Sequence, residues 1–529
     1  MANTQEPQNF NASVMPSTLV STQVAKAAAG LKLYDTASHA VSTFTPIKPG
    51  EVGMYVCGAT VQSSPHIGHI RAAVAFDIVR RWFLKLGYQV TFVRNVTDID
   101  DKILDKAAAA GQQWWARAYH YEREFSQAYS DLGVLPPTVE PRATGHMADM
   151  IDMIQRIIDN GHAYVVRGDD GKPTGNVYFD VASWPHYGEL THQKQTAVAD
   201  AASEVADAMG PSVDNAGDDK YNPVDPADAS PDKHDPRDFA LWKAPKDSDP
   251  LDARWNTPFG TGRPGWHIEC SAMSTTYLGD TFDIHGGGKD LLFPHHENEI
   301  AQATGATGKP FVHYWMHNGF LNIDNEKMSK SKGNFFTVRD IAKEFDLEAV
   351  RMFTLSAHYR SPLNFSRDQI AQAQSSLERL YTARDQLKFL LSGAKDREPN
   401  ETEKAFMDAC TASKEHFIAA MDDDLNTADA LSSIFELVRE VFKLDASDVS
   451  RKAVEFGQET FLGMTDVLGL LMKKDDGIDP EVQKLVEERA EARKNKDWKR
   501  SDELRDQIKA MGYILEDTAA GQKVRKSGV

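Results

Sequence analysis

The stretch that most narrows the possible folds runs from Glu51 to Val93. Glu51 to Cys57 (EVGMYVC) is an apolar run of strand length, and Gly58 to Pro65 reads as the loop leaving its carboxyl end. From His66 to Leu86 apolar residues recur at helical spacing through Ile70, Val74, Ile78 and Phe83. Gly87 ends that run, and Tyr88 to Val93 returns to a strand. Strand, helix and strand in this order form the unit of a parallel sheet, whose ligands lie beyond the carboxyl ends of its strands. Chemistry is therefore expected at the loop that leaves Cys57.

Three groups of residues carry chemical potential. Pro65-His66-Ile67-Gly68-His69 opens the long helix, placing two imidazoles on one face at the end where free N–H groups and helix polarity favour an anion. Lys327-Met-Ser-Lys330-Ser-Lys-Gly-Asn334 is a cationic loop, a pattern that by itself is usually a solvated charge run. His285-Gly-Gly-Gly-Lys-Asp-Leu-Leu-Phe-Pro-His-His-Glu-Asn-Glu299 reads as a glycine loop entering a helix at Pro294. On such a helix His295 and Glu299 share a face and can reach one zinc ion. A zinc site needs three or four protein ligands, and of the chain's three cysteines Cys57 and Cys270 are the candidates for the remainder.

Three cysteines in 529 residues cannot build a disulfide framework, which points to a reducing compartment. No window approaches the roughly 20 apolar residues of a membrane span, and Met1 to Gly30 lacks the order of a secretory signal. A cytoplasmic protein with no membrane partner is expected. The net charge of −19 argues against indiscriminate polyanion binding. Residues 481–529, however, hold 12 Lys/Arg against 10 Asp/Glu, so a local nucleic-acid contact fits that end.

Residues 1–30 have no sustained period and are expected to form a mobile extension. Residues 100–190 read as mostly helical, with a turn at Pro136-Pro137 and a short strand at Val177 to Phe179. Between Thr196 and Pro236 ten acidic residues stand against two basic ones with few large apolar groups, the composition of a solvated loop. The sheet pattern is expected to resume at Phe239 to Trp242, at Thr281 to Ile284 and at Phe311 to Trp315. Beyond Phe335 helical runs follow one another (Leu347–Ser356, Arg367–Leu391, Glu403–Met421, Thr427–Leu444, Lys452–Leu471) and predict a bundle. Two further helices and a strand at Tyr513 to Glu516 close the chain. Cys410 sits in a bundle helix and reads as a small core residue.

His66-Ile-Gly-His69 and Lys327-Met-Ser-Lys330-Ser331, in that order around a split parallel sheet, resemble the paired signature motifs of class I aminoacyl-tRNA synthetases. Tyr55-Val-Cys57-Gly-Ala-Thr60, Gly265-Trp-His-Ile-Glu-Cys270-Ser-Ala-Met273 and Phe293-Pro-His-His-Glu-Asn-Glu299 are similar to the segments that supply zinc ligands in the cysteinyl-tRNA synthetase family. The resemblance runs from about Leu31 to the end, the acidic loop excepted. It implies one zinc held by Cys57, Cys270, His295 and Glu299, and it prefers His295 to His296, a choice that spacing leaves open. It further implies that His66, His69, Lys327 and Lys330 serve ATP chemistry with Mg2+. Gly68, Gly286, Gly288, Asp290 and Lys330 would face the nucleotide, and Gly58, Thr60, Trp266 and His285 would line the amino-acid pocket.

The carboxyl-terminal segment resembles the anticodon-reading region of the same family, which assigns that task to Arg493, Trp498, Asp502, Arg505, Asp506 and Asp517. A zinc that takes thiolate explains how such an enzyme rejects serine, since packing alone separates near-isosteres poorly. The cysteine ligase of mycothiol synthesis resembles the catalytic half but lacks this tail.

The expected architecture is α/β. A Rossmann-like catalytic domain in two halves (31–107 and 239–335) is split by an acceptor-end insertion (108–238, with the acidic loop 196–236). A stem and helical bundle (336–475) and a small mixed anticodon-binding domain (481–529) follow. The implied partners are tRNA(Cys), ATP and L-cysteine, and the resemblance implies a monomer.

Overall fold

The computed structural model describes residues 30–192, 230–323, 336–473, 479–518 and 521–526. The amino-terminal extension, most of the acidic loop and the lysine motif with Lys327 and Lys330 lie outside the described residues.

A hairpin of β1 (Lys32–Asp35) and β2 (Ala40–Thr43) precedes the predicted unit, which forms as β3 (Glu51–Val56), α1 (Ile67–Lys85) and β4 (Gln89–Arg94). Next come α2 (Asp101–Ala109), α3 (Trp114–Asp131) and α4 (Met147–Asp159), as the helical period of that region requires. The inserted strands are β5 (Ala163–Arg167), β6 (Pro173–Phe179), β7 (Phe239–Lys243), β8 (Trp255–Thr257) and β9 (Gly260–Pro264). They make a five-stranded antiparallel sheet in the order β5-β6-β7-β9-β8. Phe239–Trp242 therefore does not rejoin the parallel sheet: Val177 pairs with Trp242 and Phe179 with Phe239. A buried apolar run marks a central strand without saying in which sheet.

The parallel sheet resumes after α5 (Trp266–Leu278) with β10 (Phe282–Gly288), then α6 (Glu297–Thr307) and β11 (Val312–Asn318). Its order is β11-β10-β3-β4, all parallel, so β3 and β10 are central and their carboxyl ends adjoin. Gly286, Gly287 and Gly288, expected in a loop, complete β10 instead and pair with Met316, His317 and Asn318. The strand admits them because neighbours occupy the space of their side chains: a Cβ on Gly286 would lie 2.3 Å from the Phe76 ring. Pro294 follows a cis peptide after Phe293, and the α-helix begins only at Glu297. Pro294 is thus not in the first turn of a regular helix, and His295 enters the site from the irregular turn before it.

β12 (Leu321–Ile323) pairs in parallel with β13 (Leu363–Phe365) and frames the stem, which holds α7 (Val338–Ile341) and α8 (Leu347–Leu355). The bundle is α9 (Arg367–Gly393), α10 (Glu401–Asp422), α11 (Thr427–Val441) and α12 (Arg451–Val467). Asn400 and Glu403 form a reciprocal capping box on α10, and Cys410 is fully buried within it, as its setting predicts. One continuous apolar core joins sheet, stem and bundle. The terminal unit of α13 (Pro480–Lys494), α14 (Trp498–Ala510), β14 (Tyr513–Thr518) and β15 (Gly521–Lys526) packs on its own small core of Val482, Ile508 and Tyr513.

Candidate metal centre and active site

Cys57 follows β3, Cys270 lies on α5, and His295 and Glu299 flank the start of α6. Parallel pairing brings these distant segments together, because the Cys57 amide donates to the Gly286 carbonyl at 3.1 Å, tying the end of β3 to β10. One donor atom from each of the four side chains lies within 4.8 Å of the others. Cys57 Sγ stands 3.6 Å from Cys270 Sγ and 3.4 Å from Glu299 Oε1, while His295 Nε2 is 3.1 Å from Glu299 Oε1. A tetrahedral zinc separates two sulfurs by about 3.8 Å, sulfur and oxygen by about 3.6 Å, and nitrogen and oxygen by about 3.3 Å. The observed separations fall about 0.2 Å inside each of these, so the donor set fits a zinc ion without rebuilding.

The electrostatics point the same way. Burial pushes both thiols upward, and for Cys57 the neighbouring Cys270 and Glu299 add to it. Thiolates in this position need a cation beside them. Burial pushes His295 down to about 3, so the ring stays neutral and keeps a lone pair for a metal. His295 Nδ1 faces His267 Nδ1 at 2.9 Å, and the proton placed there leaves Nε2 as the ligand atom. Glu299 Oε2 accepts from His285 Nε2 at 2.8 Å.

Cys57, His285, His296 and Glu299 make a second set of the same compactness. It holds one thiol where the first holds two, and sulfur is the donor that selects zinc. His296 Nδ1 is 2.7 Å from His317 Nε2, and His317 Nδ1 is 2.9 Å from Thr36 Oγ1, so a layer of histidines lies behind the cluster. Sequence reasoning missed His267 and His317. The alternation of Trp315 and His317 in β11, beside His285 in β10, is a signal that could have found His317; none of this kind marks His267.

Of the expected pocket residues, Trp266 stacks on His295 with centroids 4.2 Å apart, and His285 stacks on Trp315 at 4.5 Å. Gly58 N donates to Asn95 Oδ1 at 2.7 Å, and Thr60 forms a parallel bridge with Thr97. Behind them Asn95 donates to Thr97 Oγ1 (3.3 Å), and Thr97 donates to the buried Glu269 (2.8 Å), a link unseen in the sequence.

At the start of α1, His66 caps the helix by accepting the Gly68 amide on Nδ1 (3.2 Å), and His69 Nδ1 accepts the His66 amide (3.1 Å). Rings whose Nδ1 atoms accept carry their protons on Nε2, so both present N–H donors at a helix amino terminus, the arrangement that suits a phosphate. The segment that follows the lysine motif closes on the same turn: Ile67 N donates to Phe336 O (3.4 Å) and Val338 N to Pro65 O (3.0 Å). Gly286 and Gly288 end β10 beside this turn's sheet, and Asp290 lies in the short turn that follows, near Gly288.

In the terminal unit Trp498, 57% exposed, opens α14, and the Arg493 guanidinium lies 5.9 Å from its ring centroid. Arg505 pairs with Asp502 at 3.1 Å, and Asp506 is exposed. Asp517 is held by two arginines. It bonds the buried Arg489 at 2.8 Å and Arg493 at 2.7 Å, which fastens the β14–β15 hairpin to α13.

Comparison with known proteins places this arrangement. The family described as "tRNA synthetases class I (C) catalytic domain" matches residues 43–375. Mycobacterium tuberculosis methionyl-tRNA synthetase in complex with methionyl-adenylate shares the fold at TM-score 0.53 and 16% identity, over 79% of this chain and 89% of that one. The Agrobacterium radiobacter K84 LeuRS ternary complex with tRNA and LeuAMS does so at 0.56 and 12%, over 80% and 85%. Fold and matched domain together define a class I aminoacyl-tRNA synthetase.

The DALR domain family matches residues 416–472, and the family described as "Cysteinyl-tRNA ligase anticodon binding domain" matches 475–525. The chain is 59% identical to the cysteine–tRNA ligase of Bifidobacterium longum, over 98% of this chain and 99% of that protein. It is 46% identical to that of Cutibacterium acnes, over 93% and 95%. The chain belongs to the cysteine–tRNA ligase family.

Proposed function

We propose that this chain performs its family's reaction, the ATP-dependent joining of L-cysteine to tRNA(Cys), by selecting the amino acid at the Cys57–Cys270–His295–Glu299 cluster. The observation that carries this reading is the convergence of those four side chains, drawn from three segments, to the separations of a zinc site. Zinc held there supplies a centre that accepts a thiolate and discriminates against a serine hydroxyl, which scarcely ionises at neutral pH.

The chain's own residues do the rest. Trp266 and His285, with Gly58 and Thr60, border the side chain of the amino acid and exclude water from it. His66 and His69 donate from Nε2 to the phosphates of Mg-ATP, and Lys327 and Lys330 add positive charge as the cysteine carboxylate attacks the α-phosphorus in line, expelling pyrophosphate and leaving cysteinyl-adenylate. No general base is needed for that step. Gly68, Gly286 and Gly288 let the nucleotide approach the backbone, and Asp290 contacts the ribose. The terminal ribose hydroxyl of tRNA then attacks the adenylate carbonyl, forming the cysteinyl ester and releasing AMP. Arg493, Trp498, Asp502, Arg505 and Asp506 read the anticodon by stacking and hydrogen bonding, and Asp517 supports them through Arg493.

We assign the catalytic halves to 31–107 and, following the sheet topology, from about Gly265 to 335, with the antiparallel strands in the insertion. The stem and bundle occupy 336–475 and the anticodon-binding unit 481–529. The chain works as a cytoplasmic monomer. Among the described residues no helix is long and apolar enough to cross a membrane.

Pyrophosphate exchange with cysteine and with serine, alongside metal analysis, tests the reading. Wild type is expected to carry about one zinc and to exchange with cysteine alone. Cys270→Ser is expected to lose the metal and at least 100-fold of cysteine-dependent exchange, on the order expected when a reacting group is misplaced. Undiminished exchange by metal-free protein would refute it.

A further inference from the structure

One face of α3 carries an aromatic ladder that the reaction as described does not use. Trp115 and Tyr119, four residues apart, are 53% and 54% exposed, whereas Trp114, Ala118 and Phe125 on the adjoining face are buried. Arg123, a further turn along, places its guanidinium 5.8 Å from the Tyr119 ring centroid. Exposed side chains of this size, in register with a cation, are not needed for the packing of α3.

The location of the helix ties this ladder to the active site. The buried Phe125 meets the His69 ring edge-on at 4.9 Å. Arg117 donates to the Gln62 carbonyl at 3.1 Å, and Gln62 lies in the loop between Cys57 and His66. Trp114 Nε1 donates to Asp252 at 3.1 Å, which fixes the start of α3 against the turn before β8. The helix therefore forms the rim by which the insertion borders the turn at His66. At 1.5 Å per residue, Tyr119 and Trp115 stand about 9 and 15 Å along the axis from Phe125.

The charge of this rim differs from that of the chain as a whole. Although the protein carries −19 overall, the carboxylates of this helix near the ladder are answered: Glu122 pairs with Arg142 (2.8 Å), and Glu124 with Arg339 (3.1 Å) and His120 (3.0 Å). What remains outward is aromatic surface beside a guanidinium, the combination on which unpaired bases stack while their phosphates meet positive charge.

We infer that Trp115 and Tyr119, with Arg123, form a stacking platform for the unpaired 3′ nucleotides of tRNA as they pass from the inserted domain to the adenylate. This inference rests on the tRNA-charging function proposed above. That function brings the unpaired end to the adenylate, and α3 stands beside the His66–His69 turn through Phe125; a sequence-independent stack suits a strand that must move after transfer.

The test compares wild type, Trp115→Ala/Tyr119→Ala and Trp115→Phe/Tyr119→Phe. Charging by wild type establishes the underlying function, and its absence would overturn that function rather than the platform alone. The double alanine variant is expected to keep cysteine-dependent pyrophosphate exchange and to lose about tenfold in kcat/KM for tRNA, the scale of losing one stacked base. The double phenylalanine variant is expected to recover most of that loss. Binding of tRNA trimmed of its unpaired 3′ nucleotides is expected to be equal for wild type and the alanine variant. Unchanged charging by the alanine variant would overturn the inference. So would a deficit that persists with trimmed tRNA, which places the contact elsewhere on the RNA or on a partner protein, or a parallel fall in exchange, which marks a structural role.

Discussion

At the scale of single residues, the cluster depends on side chains that are absent as much as on those present. A Cβ on Gly58 would lie 1.7 Å from the Asn95 carbonyl oxygen, so any side chain there forces the end of β3 away from β4. Cys57 is the adjoining residue and would move with it. Gly58→Ala is expected to lower cysteine-dependent exchange about 100-fold and to cost about 1–3 kcal/mol of stability. Exchange kinetics and denaturant unfolding measure the two separately. Cys57, Cys270 and Glu299 were legible in the sequence as a donor set because few residue types hold zinc and the chain has so few cysteines. The choice of His295 over His296 was legible only through resemblance, since adjacent residues have the same access by spacing. The pairing of Asp517 with buried Arg489 was likewise not legible, because the two residues are 28 positions apart and meet only through the hairpin.

Among elements, the predicted strand–helix–strand unit formed within a residue or two of its expected limits, and so did the main bundle helices at their starts. Long amphipathic periods report burial along a whole face, which makes them readable without a partner. The inserted sheet was less readable. β5, β8 and β9 are three to five residues long, too short for a period, and exist because antiparallel neighbours complete their hydrogen bonds.

One ionic junction holds this insertion to α2. Asp101, the first residue of that helix, meets Arg263 of β9, Lys243 of β7 (3.6 Å) and Lys246 (2.7 Å). Burial works against its ionisation, but Arg263 and the lysines outweigh that and hold the carboxyl down from 3.8 to about 2. A depressed carboxyl contributes stability that is present above the unfolded value and lost as pH falls through the folded one. The stability advantage of wild type over Asp101→Asn is expected to hold at neutral pH and to shrink between about 3.8 and 2. Denaturant titrations across that range check it, and an advantage independent of pH would contradict it.

Over the whole molecule, a buried ion pair joins the catalytic helix to the regions beyond it. Arg351 of α8 bonds Asp77 of α1 (2.5 Å), the Leu132 carbonyl after α3 (3.2 Å) and the Leu468 carbonyl after α12 (2.8 Å). Arg351→Met is expected to destabilise the fold by about 3 kcal/mol, because it leaves Asp77 with Arg81 as its remaining ion-pair partner in a buried setting. Equilibrium unfolding measures this. The terminal unit, by contrast, has its own core, so damage there should not reach the catalytic sheet. Trp498→Ala is expected to leave pyrophosphate exchange intact and to weaken tRNA charging about tenfold, the scale of one lost stack. Equal damage to both reactions would count against a separate recognition unit.

The sequence by itself determined the parallel unit, the helical bundle, the pair of histidines at the start of α1 and the kinds of ligand available to a metal. Each of these is encoded locally, in period, in helix-start chemistry or in residue type. Only the tertiary structure decided which sheet Phe239–Trp242 joins, that three glycines end a strand, and that histidines from α5, β10 and β11 line the space behind the cluster. Those outcomes depend on which remote backbone completes a strand's hydrogen bonds and which remote side chain fills the room a glycine leaves. No local pattern records either one.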